Sequence, residues 1–94
     1  MTGLKWEGDI VSGAYVRFVN VGRSSSGKTL VWRVEATDDG NEGIGWVRWY
    51  GPWRQYSFFP ASLTVFEKSC LRDIADFSEQ LTKDHREANR GNGP

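Results

Sequence analysis

Residues 46–59 read WVRWYGPWRQYSFF: seven aromatic side chains and two arginines, with no acid among fourteen positions. Rings on an accessible surface stack on nucleobases for ~1–3 kcal/mol per base, and guanidinium groups both stack and meet phosphate. The same residue types anchor protein interfaces, where Trp, Tyr and Arg are enriched. The chemistry to expect is therefore recognition. The side chains that would carry it are Arg48, Trp49, Tyr50, Trp53, Arg54 and Tyr56. Trp53 and Arg54 lead because they follow the Gly51-Pro52 bend, where a side chain is least drawn into a core.

Other groups that could do chemistry are isolated. Residues 22–29 (GRSSSGKT) match the phosphate-binding pattern G-x-x-x-x-G-K-T. That motif needs a preceding strand and a following helix, whose N-terminus and loop amides cradle the phosphates. Here TLVWRVEAT follows, and its alternation is that of a strand. The segment reads as a flexible hairpin loop whose Arg23 and Lys28 would extend a basic track; whether it holds an anion is left open. The single histidine, His85, falls near the end of a helix, and Cys70 falls on a buried helix face without a base beside it. Asp38, Asp39 and Glu42 surround a turn but lack the spacing of a calcium loop. No catalytic constellation, metal-ligand set or cofactor site is expected, and the chain reads as non-enzymatic.

The elements that must position the aromatic block follow from periodicity. Residues 1–13 are polar and glycine-punctuated, a loose arm with a short strand near 9–11. Strands are expected over 15–21 and 29–37, the second placing Leu30, Trp32, Val34 and Ala36 on one face. Asp38-Asp39-Gly40-Asn41 suits a tight hairpin turn. Strands over 42–50 and 54–59 complete the set, broken apart by Gly51-Pro52 and closed by Pro60. Ile44, Trp46, Arg48 and Tyr50 oppose Gly45, Val47 and Trp49; Arg54, Tyr56 and Phe58 oppose Gln55, Ser57 and Phe59. Ser69 is a natural N-cap for a helix running from about 70 to 85, with Cys70, Leu71, Ile74, Phe77 and Leu81 on one stripe. The predicted fold is α+β: a four-stranded antiparallel meander followed by one C-terminal helix packed on one sheet face. Residues 1–85 form this single domain, and 86–94 (REANRGNGP) a flexible tail. One sheet face is covered by the helix and the other stays partly open. Trp46 or Val47, with Phe58 or Phe59, enters the core according to which face is covered.

Composition narrows the function classes. Ninety-four residues make one domain, and twelve basic side chains balance twelve acidic ones. A general nucleic-acid binder is usually basic overall, so such a function must rest on a local patch. One cysteine excludes an internal disulfide. Residues 1–13 lack the basic start and apolar run of a signal peptide, and no apolar stretch approaches a membrane span, which leads to the expectation of a cytoplasmic protein.

The runs GWVRWYGPWRQYSFFP and TVFEKSCLRDIADFSEQL, within residues 43–81, resemble a group of short, largely uncharacterised proteins of bacteriophages and prophages. The resemblance implies a phage origin, with the host cytoplasm as the setting, and no particular chemistry. In topology alone, four strands followed by a helix resemble the single-stranded-DNA-binding folds of the Whirly type. Two main readings follow. One is a phage accessory protein that binds single-stranded nucleic acid through its open sheet face; the other is an inhibitor or adaptor that occupies a host enzyme or defence complex. A third is a structural component whose aromatic face joins copies of the chain into a homo-oligomer. No membrane partner is expected.

Overall fold

A computed structural model describes residues 3–37 and 42–92, with side chains as far as residue 88. Six strands follow one another and then a helix: β1 (Lys5–Glu7), β2 (Ile10–Ser12), β3 (Val16–Arg23), β4 (Leu30–Ala36), β5 (Glu42–Tyr50), β6 (Gln55–Pro60) and α1 (Lys68–Asn92). All neighbouring strands are antiparallel, and their spatial order equals their order in sequence. The fold is thus the expected α+β meander with one C-terminal helix, but it has six strands where four were predicted.

The additional strands come from the segment read as a loose arm, in which a short strand near 9–11 was expected but no sheet pairing. Glu7 pairs with Ile10, so Gly8-Asp9 forms a two-residue hairpin loop with Gly8 at φ 64°. Glycine adopts that left-handed backbone without steric cost, which favours the tight turn. β2 then pairs with β3, putting Val11 opposite Phe18. The Asp38–Asn41 turn lies outside the described residues.

One sheet face is apolar throughout. Val11, Val16, Phe18, Trp32, Val34, Val47 and Tyr56 lie buried there against Ile74, Phe77 and Leu81 of α1. Phe77 is the centre of this layer. Its ring stacks on Phe18 at 3.9 Å and on Trp6 at 5.4 Å, and meets Trp32 edge-on at 5.1 Å. Such offset and edge contacts add to the burial of large rings.

The helix departs from its predicted ends. It begins at Lys68, and Glu67 caps it by accepting the Cys70 amide at 2.7 Å, so Ser69 lies within the first turn and is not the cap. It continues as helical backbone through Asn92, past the expected end near His85. Leu71, assigned to the apolar stripe, is 48% exposed, while Thr82 is buried. Thr82 closes the groove between helix and sheet. Its Oγ1 donates to the Ser78 carbonyl at 2.8 Å and accepts the outward-facing Tyr56 amide at 2.9 Å. The edge of β6 is thereby tied to α1 through a side chain instead of a further strand. Pro60, at the other end of β6, has no amide to offer, which blunts the edge further.

Candidate functional site

Strand alternation sorts the aromatic block into two surfaces. On β5, Gly45, Val47 and Trp49 turn toward α1, and Trp46, Arg48 and Tyr50 toward the uncovered face. Register then assembles that face row by row. Val19, Arg33, Trp46 and Phe59 lie opposite one another across four strands, and Val31, Arg48 and Ser57 form the next row. Directly opposed residues on antiparallel strands share a face, so these rows are contiguous.

The rings there pack edge to face. Tyr50 meets Trp53 at 4.9 Å and Phe59 at 5.9 Å, both near perpendicular. Arg48 spreads its guanidinium 4.3 Å above the Phe59 ring, a cation–π contact that holds the side chain flat on the sheet. Trp53 stands at the end of this string on a short 3-10 turn, Gly51–Trp53, and is 65% exposed. Trp46 is 45% exposed. Arg54 closes the turn in the left-handed region at φ 53°, and its carbonyl accepts a hydrogen bond from Arg86 of α1 at 3.1 Å. The turn is therefore anchored to the helix while its side chains stay in solvent.

Charge on the same face is unequal. Lys5, Arg17, Arg33 and Arg48 share it with Glu7 and Glu35, because register carries the Arg33 row on through Val19 and Ile10 to Glu7. Glu7 pairs with Lys5 at 3.3 Å, and the Glu35 carboxylate is engaged by Arg17 at 2.7 Å and by Arg33 at 3.2 Å. Four cations thus face two carboxylates, and Arg48 has no acidic partner among the described residues. Across the molecule, α1 balances five acids against five basic residues in sequence. A chain without net charge thus gathers its excess of cations on the open sheet face.

Two predicted site residues leave this surface. Tyr56 is 6% exposed, and its hydroxyl accepts the Leu30 amide at 3.1 Å, so it belongs to the core and cannot serve as a stacking platform. Trp49 points to the helix side and is half-buried, with the Tyr56 ring at 5.5 Å and the His85 ring at 4.6 Å. Arg48, Tyr50, Trp53 and Arg54 remain at the open face or its end. Trp46, Phe59, Arg33 and Arg17 join them unpredicted. Their signal was present: Trp46 alternates in phase with Arg48, and Phe59 with Ser57.

The chain is 30% identical over 79 residues to the "Uncharacterized 9.3 kDa protein" of Acholeplasma phage L2, covering 84% of this chain and 99% of that one. It belongs to that phage protein family. The similarity extends well beyond residues 43–81, which carried the resemblance in sequence. Neither a family model nor a solved structure matches the chain, so the topological likeness to Whirly-type folds gains no support. Among its described residues no group of His, Cys, Asp and Glu could hold a metal ion, and no helix is long and apolar enough to cross a membrane.

Proposed function

We propose that this phage protein is a non-catalytic accessory factor of the host cytoplasm that binds single-stranded nucleic acid across its open sheet face. The observation that carries the reading is the row structure of that face. Trp46, Tyr50, Phe59 and Trp53 run beside Arg48 and Arg33, and both carboxylates of the face are already paired, Glu35 with two arginines and Glu7 with Lys5. Trp53 and Trp46 offer ring faces to bases, while Arg48 and Arg54 meet phosphate. An open sheet face suits a single strand with splayed bases better than a duplex, whose grooves call for an inserted helix or ribbon. Fluorescence titration with oligothymidylate at low salt tests this. Tryptophan quenching with a dissociation constant at or below ~50 µM is expected; its absence, together with no mobility shift, overturns the reading.

A second reading rests on a different observation. Leu63 and Val65, between β6 and α1, are 103% and 95% exposed, and Leu63 holds a left-handed φ of 61°. Exposed aliphatic side chains on a connector are protein-contact chemistry. A host-protein adaptor would use them, and substituting both with serine would then abolish capture of a nuclease-insensitive partner while leaving oligonucleotide binding intact.

A further inference from the structure

On the other side of the sheet, the loop after β3 and the distal part of α1 enclose an open depression of about 710 Å³ lined by Ser24, Ser26, Lys28, Thr29, Trp49 and His85. Its size is within the range of small-molecule sites. We propose that it binds a nucleoside phosphate, with the phosphate held by Lys28 and the loop hydroxyls and the base lying against the Trp49 side.

The argument begins with the loop. Four of its amides are spent internally: Ser24 donates to the Thr29 carbonyl, Gly27 to the Ser24 carbonyl, Lys28 to Ser26 Oγ and Thr29 to Ser24 Oγ. Those amides are withdrawn from any backbone cradle of the P-loop kind, and a strand, not a helix, follows residues 22–29 even though their sequence matches that pattern. The same bonds occupy the Ser24 and Ser26 hydroxyl oxygens as acceptors, and the two hydroxyls meet each other at 3.0 Å, which leaves that pair one hydroxyl hydrogen to donate. Arg23 ties the loop from below by donating to the Gly27 carbonyl at 3.2 Å. Lys28 forms no ion pair among the described residues, and no carboxylate lines the depression. The Lys28 ammonium, the remaining serine hydroxyl hydrogen and the Thr29 hydroxyl set donors beside the Trp49 indole. That combination recognises a phosphate carried by a flat heterocycle. The groove on the opposite flank of α1 lacks it, because Asp76, Glu79 and Glu87 line that one alongside Lys83 and Arg86.

This site stands independently of the open face, and it reassigns Trp49 to a separate role. The phosphate could come from a free nucleotide or from the 5′ end of a strand, and the experiment separates the two. Amide and indole spectra are recorded while the full chain is titrated with inorganic phosphate, adenosine 5′-monophosphate, and 5′-phosphorylated or 5′-hydroxyl oligothymidylate. Perturbations centred on residues 24–29 and the Trp49 indole are expected with the monophosphate, weaker ones at the loop with phosphate. Lys28→Ala should weaken them about tenfold, as loss of one charge-assisted hydrogen bond does, whereas Trp53→Ala should leave them unchanged. A strand end is the source if the phosphorylated oligonucleotide outbinds its hydroxyl counterpart in a Lys28-dependent way. Equal binding of the two, with the monophosphate still titrating, assigns the site to free nucleotide. The proposal is overturned if neither phosphate nor the monophosphate perturbs the loop at ~10 mM, or if the perturbations survive both Lys28→Ala and Lys28→Glu. Circular dichroism checks that these variants fold; Lys28 is exposed and supports no core contact.

Discussion

Gly45 is where the sheet is least tolerant of a side chain. It sits at φ 157°, and a Cβ there would run into the Phe58 ring and the Phe59 carbonyl. Gly45→Ala is expected to lower stability by ~2–3 kcal/mol through overpacking and backbone strain, read as a shifted urea midpoint. Tyr56 illustrates how a ring leaves the functional surface. Its hydroxyl is satisfied by the Leu30 amide within a core that is otherwise aliphatic and aromatic. Tyr56→Phe should cost ~1 kcal/mol by removing that bond, with oligonucleotide affinity unchanged. Thr82→Val should cost ~1–3 kcal/mol, because the Tyr56 amide would remain buried without an acceptor. Nothing in the sequence announced the Tyr56 and Thr82 roles. Both depend on polar groups brought together across 26 positions, and strand periodicity carries no information about such partners.

At the scale of elements, alternation within β5 made the split between Trp46, Arg48, Tyr50 and Gly45, Val47, Trp49 legible from residue order alone. Which set faces the helix was not legible, because alternation is symmetric between the two faces. It is decided by Phe18 and Val34, paired across β3 and β4, and by Trp32 and Val47, paired across β4 and β5, which pack in one core with Phe77 and Ile74. A short strand near 9–11 anticipated β2, but β1 and the pairing of both with the sheet escaped because three residues each are too few to establish a period; Gly8-Asp9 was the usable signal. On the exposed element, Trp53→Ala should lower affinity for oligothymidylate by ~1–3 kcal/mol, about five- to hundredfold. Thermal stability should stay the same, since the 3-10 turn buries none of its residues. Loss of stability without loss of affinity would place Trp53 in the packing instead of the interface.

For the whole molecule, polarity matters more than net charge. A chain with equal numbers of acids and bases still presents Arg17, Arg33 and Arg48 on one side of its sheet, while α1 on the other side is balanced in charge. Binding through about three phosphates predicts a logarithmic salt slope near −2 for single strands, from ~0.7 per phosphate. Arg48→Gln should reduce that slope by roughly 0.7. A slope near zero, with affinity retained, would indicate an apolar protein-type contact. The family shared with the phage L2 protein spans nearly all of that chain, so the same titration on the relative asks whether the basic sheet face is common to both.

The order of the strands has a kinetic consequence. Each strand pairs only with its sequence neighbours, so the sheet grows hairpin by hairpin with short loops to close. Phe77 is the exception: it joins Trp6, Phe18 and Trp32, segments spread over the first third of the chain, from a helix near its end. Contacts of such long sequence separation form late, after the local pairing that sets the folding rate. Phe77→Leu should therefore act mainly on the unfolding limb of a chevron plot, hastening loss of the native state while leaving the refolding rate nearly constant.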